Sequence, residues 1–237
     1  MIRKKILILA GLSAGLLMLS GCEMLGESKW TPQEPSAISI DKKGVITEYV
    51  KDTLDQSYYD VTELQSMITS QVDDYNGTHG EDTITVEKFE TTENGEVSLE
   101  MKYASAEDYE EFNNTEFYYG SMINAQLEGY LFDVNYKRVK DGVVEGSSVS
   151  GSEVIKEMAQ QVLIVRAPLE VHVPGNVLYT STNAEVLSSD VVNATGEQDE
   201  DEGATIVLPS SAVYKTEESS FAEQTAANRV YIIFEME

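Results

Sequence analysis

Apolar and polar positions follow two rhythms along this chain of 237 residues. One is helical. Val61, Leu64, Ile68, Val72 and Tyr75 recur at three- and four-residue steps, which places them on one stripe of an α-helix. Asp60 stands at its N-cap with Glu63 in capping-box spacing, and Asn76-Gly77 predicts its stop. A second helix is expected from Ser105 to Phe112, capped by Ser105 with Asp108 at N3, and a short one from Ser121 to Leu127 ending at Gly129. The other rhythm has a period of two. Residues 36–50 predict a hairpin around Asp41-Lys42-Lys43-Gly44, and Thr83–Phe89 with Glu96–Tyr103 predict another around Glu93-Asn94-Gly95. In the latter, Thr83, Thr85 and Glu87 share one face, Ile84, Val86 and Lys88 the other, so one face is wet. Phe117-Tyr118-Tyr119 reads as a short strand.

Asp141–Ser152, rich in Gly and Ser, reads as an interdomain linker or as a long loop beside a short strand. Beyond it strands are expected at Gln161–Val165, Leu169–Val173, Asn176–Thr180, Glu185–Leu187, Ala204–Leu208 and Val230–Phe234. Pro174-Gly175 fits the centre of a type II turn. The nearly all-apolar Val230–Phe234 predicts a strand buried on both faces that closes the sheet. Strand pairs joined by tight turns, with no strand-helix-strand repeat, predict an α+β fold: an antiparallel, sheet-rich body with two to three helices. Residues 36–237 are expected to form a single domain, with 141–152 as the place for any internal boundary.

The amino terminus departs from both rhythms. Arg3, Lys4 and Lys5 precede the apolar run Ile6–Leu19, which is short of the roughly 20 residues a spanning helix needs. A basic start followed by a short apolar run has the form of a secretory signal peptide. Leu19-Ser20-Gly21-Cys22 then resembles the lipobox of bacterial lipoprotein signal peptides, and it contains the chain's one cysteine. That resemblance covers about 22 residues. It implies cleavage between Gly21 and Cys22, a diacylglycerol on the Cys22 sulfur, and residues 1–21 as a removed signal. Two acyl chains make a durable anchor where one is marginal. Residues 22–35, without strand or helix period and ending in Pro32 and Pro35, read as the lipidated terminus and a flexible tether, with Trp30 as a linker aromatic or an interfacial anchor. The body resembles lipoproteins of Gram-positive, Firmicutes-type bacteria, a resemblance that brings no activity or site with it. The implied address is the extracytoplasmic face of the cell membrane, with outer-membrane sorting open in a Gram-negative host.

Charge narrows the partners. The net charge of −26 becomes −29 when residues 1–21, with three bases and no acid, are removed. Such a surface repels phosphate backbones, so no nucleic-acid partner is expected. The expected partners are the bilayer, through the Cys22 diacylglycerol, and an envelope protein or glycan. One cysteine and two histidines leave no metal or cofactor site to expect.

Each catalytic pattern fails on its own requirements. Ser39-Ile40-Asp41-Lys42 has Ser-x-x-Lys spacing, but that chemistry needs the serine at a helix start and the local pattern is strand, then turn. Gly146–Gly151 lacks the Gly-x-Ser-x-Gly order of a nucleophile elbow and reads as a flexible loop. The acidic run 197–202 fails EF-hand register, since from Asp199 the glycine falls at position 5 and Ser210 at position 12, and reads as a solvated loop. His79 and His172 fall in different elements, with His172 facing water. Tyr58-Tyr59 and Tyr118-Tyr119 could line a sugar- or peptide-binding surface, though tyrosines also suit half-buried strands. The sequence thus points to a non-enzymatic binding or interaction module of the envelope. The alternatives are a glycan or peptide hydrolase using paired carboxylates and a solute-binding lipoprotein of a transporter.

Overall fold

The computed structural model describes residues 30–54, 60–166, 168–194 and 229–236. The described residues from Thr31 onward belong to one compact unit. In chain order the described elements are β1 (Ser36–Ile40), β2 (Ile46–Thr53), α1 (Val61–His79), β3 (Ile84–Thr91), β4 (Glu96–Tyr103), α2 (Ala106–Asn113), β5 (Phe117–Ser121) and α3 (Met122–Leu127). Then follow β6 (Asn135–Lys140), β7 (Val143–Ser150), α4 (Gly151–Val154) with a short 3-10 turn, β8 (Gln161–Val165), β9 (Glu170–His172), β10 (Gly175–Ser181), β11 (Glu185–Val186), β12 (Val191–Asn193) and β13 (Val230–Met236). The fold is α+β and dominated by two mostly antiparallel sheets, as expected, with four helices rather than two or three among the described residues.

The first sheet has the order β11-β12-β9-β1-β2-β4-β3, and the second β5-β8-β13-β10-β6-β7. Only the β1–β9 pair is parallel among the described pairs. The sheets share one apolar core. Ile38, Ile40, Ile46, Met101, Tyr103 and Val171 reach it from the first sheet; Phe117, Leu163, Val177, Ile232 and Phe234 reach it from the second. Alternate residues of the second sheet, among them Val162, Ile164, Tyr179 and Ile233, point outward and are covered by Met122, Ala125, Phe132 and Val154. A strand with apolar residues on both faces must therefore be internal. β13 lies between β8 and β10, so it fills the middle of its sheet instead of closing an edge.

The local signals mostly hold. Asp60 accepts hydrogen bonds from the Thr62 and Glu63 amides, and Val61, Leu64, Ile68, Val72 and Tyr75 form the less exposed stripe of α1. The helix runs through Asn76-Gly77 to Gly80. Asn76 is held from outside, its side-chain amide donating to the Ile84 carbonyl and accepting from the Ile84 N–H, so its turn-forming side chain serves β3. Ser105 caps α2 as predicted, and Ser121 caps α3. α1 packs against β3, and α2 against β4 and β5, through Tyr75, Phe112, Tyr109 and Tyr103 in edge-on ring contacts.

Three expectations are corrected. Residues 141–152 are neither linker nor loop: Asp141 and Gly142, both at positive φ, turn β6 into β7, and the chain enters α4 at Gly151. Pro174-Gly175 is not a type II turn, since Gly175 does not adopt positive φ. The chain there leaves the first sheet at β9 and enters the second at β10. A Cβ at Gly175 would stand 1.9 Å from the Glu235 carbonyl oxygen, which is why this crossing takes glycine. Lastly, the bulge at β3 between Val86 and Lys88 breaks the predicted two-face alternation and leaves Val86 exposed.

Three of the four described sheet edges are blunted. β11 has two residues, β3 carries Glu87, Lys88 and Glu90 beside its bulge, and β7 is interrupted opposite Tyr136 and Arg138. No described helix is long and apolar enough to cross a membrane.

Candidate functional site

β1 has a hydrogen-bonded strand on each side, and Ser39 stands opposite Thr47 on β2 and His172 on β9. Because Ile38, Ile40, Val171 and Val173 fill the inner face, Ser39 and His172 point outward together. Ser39 Oγ lies 3.1 Å from His172 Nδ1, and His172 Nε2 lies 3.3 Å from Asp190 Oδ2. Ser188 Oγ donates to the other Asp190 oxygen at 2.7 Å. With Nε2–H donating to Asp190, Nδ1 accepts from the Ser39 hydroxyl. This is the connectivity of a hydrolase triad with the two ring nitrogens exchanged. Acyl transfer also needs backbone donors converging on an oxyanion. The N–H groups of β1 are committed to ladders on both sides, so β1 itself offers no such donors, and the row ties β1 and β9 to the turn before β12. His172 faces outward as predicted but not into water, its side chain being 16% exposed. Lys42 falls in the turn after β1, away from any helix start.

The same face carries Glu170, opposite Ala37 and fully buried. Its Oε2 accepts from the Gln33 and Glu34 amides at 2.9 and 3.0 Å, and Asn193 Nδ2 donates to Glu34 Oε1. The Lys51 amide donates to the Pro35 carbonyl at 2.7 Å. The segment read as tether therefore has its last residues, 33–35, pinned to the first sheet.

Two further acids organise one end of the sandwich. Glu48, on the core side of β2, accepts from Tyr103 Oη at 2.6 Å and from Tyr109 Oη at 3.5 Å. Desolvation pushes its carboxyl above the usual range despite these hydrogen bonds, and burial together with Glu48 pushes both phenols well above theirs. Glu116, between α2 and β5, receives Arg229 Nη2 at 2.6 Å, Arg229 Nε at 2.8 Å and Arg166 Nε at 3.2 Å. These bonds hold the Arg229 guanidinium charged, and it lies 5.3 Å over the Tyr130 ring. Burial, then the neighbouring Glu116, Glu110 and Glu128, push the Tyr130 phenol up to about 12. Neither acid was singled out in the sequence. Both pairings are long-range, and 42 acids give no local reason to prefer these two.

Open space lies elsewhere. A shallow groove runs along the polar face of α1, lined by Thr62, Gln65, Ser66, Thr69 and Asp73. A cleft of about 370 Å³, mostly apolar, opens outside the second sheet between Tyr130, Leu131, Phe132 and Ile155, with Gln126, Asp133 and Ser152 on its rim.

Of the residues picked out beforehand, Gly21, Cys22, Tyr58-Tyr59, the strand Ala204–Leu208 and the acidic run 197–202 lie outside the described residues. Tyr118 and Tyr119 do not form one surface: consecutive strand residues face opposite ways, so Tyr118 packs outward against Tyr130 and Tyr119 inward against Phe234. His79 stacks on Tyr75 and pairs with Glu111, apart from the partners of His172. Gly146–Gly151 is strand β7 and the start of α4, not a flexible loop. Comparison with protein-family models, with curated proteins and with solved structures finds no match to this chain.

Proposed function

We propose that this chain is an extracytoplasmic lipoprotein whose sandwich body serves as a non-enzymatic binding or interaction module of the cell envelope, held to the membrane through Cys22. The observation that carries the reading is Leu19-Ser20-Gly21-Cys22 behind a basic start and a short apolar run. The body begins at Thr31. Nine residue steps separate it from Cys22, so the leash spans at most roughly 30 Å. An acidic body is repelled by an anionic bilayer, which suits attachment by a leash better than by a surface. The acyl chains supply the membrane affinity, and the polar row at Ser39, His172 and Asp190 supplies rigidity.

Metabolic labelling with palmitate and fractionation of the native host test this. The wild-type chain takes up label and sediments with membranes; Cys22→Ser does neither. An unmodified thiol at Cys22 with residues 1–21 still attached, read by mass spectrometry, overturns it.

The alternatives have less support. A hydrolase needs two carboxylates converging over a cleft. Glu110 and Glu116 are neighbours, and desolvation, with Glu116 and Glu128 adding to it, raises the Glu110 carboxyl. Glu116 is nevertheless engaged by two arginines, and neither acid lines the cleft or the α1 groove. Solute-capturing lipoproteins are usually two-lobed with parallel sheets, whereas this body is a largely antiparallel sandwich.

A further inference from the structure

On and just after α3, which covers the second sheet, a short strip of apolar side chains is exposed: Ile123 and Leu127 lie about one helical turn apart, and Leu131 follows Gly129, whose positive φ ends the helix; they are 47%, 81% and 65% exposed. Leu131 also lines the cleft, with Tyr130 and Phe132. Single exposed leucines need no explanation, but a row beside an apolar cleft marks a contact surface. Nothing about the local fold requires it, because Met122 and Ala125 on the other side of α3 already bury the helix against the sheet.

The surroundings specify the occupant. Glu128 follows Leu127, Asp133 lines the cleft, and Glu110 acts on Tyr130. Glu116 and Arg229 offset each other's charge there. An apolar strip bordered by carboxylates complements a helix with apolar side chains on one face and Lys or Arg beside them. A second copy would bring carboxylates against carboxylates. A bilayer is disfavoured twice: its anionic headgroups would meet the same acids, and Gln33 and Glu34, where the leash arrives, are bonded to Glu170 on the opposite sheet. The second of these points rests on the anchoring proposed above; the first does not.

We infer that the strip Ile123-Leu127-Leu131 and its cleft form a docking surface for a basic amphipathic helix of a protein partner, directed away from the membrane. The test uses the full chain purified in detergent and a synthetic Leu/Lys peptide of about 18 residues, long enough for five helical turns, with a Leu/Glu peptide of the same pattern as its counterpart. Calorimetric titration is expected to show binding of the Leu/Lys peptide and none of the Leu/Glu peptide. Leu127→Asp/Leu131→Asp is expected to weaken binding at least tenfold, while Val143→Asp/Val144→Asp on β7 leaves it unchanged. Both pairs are solvent-exposed, and an unchanged thermal midpoint confirms that each variant folds. Absence of peptide binding, or equal affinity for the wild type and the Leu127/Leu131 variant, overturns the inference. So does a loss, in that variant, of flotation with anionic vesicles or of self-association by sedimentation velocity, which would assign the strip to a lipid surface or a second copy. Cys22→Ser tests the anchor separately: it changes membrane retention and leaves peptide affinity unaltered.

Discussion

The two outer faces of the sandwich obey the same two-residue alternation and are covered by opposite means. Outside the second sheet, Val162, Ile164, Tyr179 and Ile233 lie under Met122, Ala125 and Phe132, an apolar layer over an apolar layer. Outside the first, Glu170 accepts from the Gln33 and Glu34 amides and Ser39 meets His172, so the covering is made of hydrogen bonds. One covering is adhesive in proportion to area and indifferent to the identity of its neighbour. The other depends on a few donors and acceptors meeting at fixed distances. The apolar covering should therefore carry more of the stability, and its surplus, the exposed strip on α3, is available to a partner. The polar covering fixes where the leash enters.

The largest expected effect breaks the apolar side. Phe132 is buried, and its ring packs 5.5 Å from that of Tyr231. Phe132→Ala should cost about 3–5 kcal/mol, as buried Phe truncations do. Urea unfolding followed by far-UV circular dichroism measures it, and a loss below about 1 kcal/mol would mean that the covering loops collapse into the space.

On the polar side the counterpart is Glu170→Ala. It removes one acceptor from two amides and should cost about 1–3 kcal/mol, less than the aromatic truncation. Its distinctive signature is local. Amide exchange at Gln33 and Glu34 should accelerate, while Leu163 and Ile232 in the centre of the second sheet keep their protection. Uniform acceleration across both sheets would show that Glu170 supports the whole body.

The same contrast governs what was legible beforehand. The stripe of α1, the serine cap of α2, the short helix α3, and the hairpins at residues 41–44 and 93–95 are set by neighbours within a few positions, so local pattern reveals them. β6, Asn-Tyr-Lys-Arg-Val-Lys, carries too much charge to read as a strand, yet Tyr136 and Val139 are enough to seat it. β7 was obscured by Gly and Ser, and α1 outran its predicted stop because Asn76 answers to β3. The polar face was illegible for a stronger reason. Ser39 and His172 meet across 133 positions through a parallel pair, and Glu170 reaches Gln33 across 137. No local rhythm encodes such pairings. Sheet switching at Gly175 is equally silent, because the requirement comes from the Glu235 carbonyl and not from the adjoining residues.

Within the polar face, Ser39→Ala separates a latch from a nucleophile. It deletes one hydrogen bond, to His172, and should cost about 0.5–1.5 kcal/mol. His172 keeps Asp190, so the strand order should survive. Hydrolysis of activated esters by the purified chain should not differ between Ser39→Ala and wild type. A serine-dependent rate would place an oxyanion site over β1 that the ladders argue against.

The smallest effect at acid pH, and the one that isolates interior polarity from both coverings, belongs to Glu48→Gln. Glutamine can still accept from Tyr103, but it cannot ionise. Below the ordinary carboxyl value of 4.5, Glu48 is protonated in folded and unfolded chains alike, and the variant should match the wild type closely. As pH rises past 4.5 the unfolded chain releases this proton first, while desolvation keeps it on the folded one. The folded state then binds more protons, so the contribution of Glu48 to stability declines with rising pH until the raised folded value is passed, and stays level beyond it. Glu48→Gln should therefore gain on the wild type as pH rises above 4.5, with the other acids cancelling in the difference. Thermal midpoints of the two proteins across that range measure the gap. Parallel curves would mean that the carboxylate is as well solvated in the fold as outside it, and that the end of the sandwich near Tyr103 and Tyr109 is open to water.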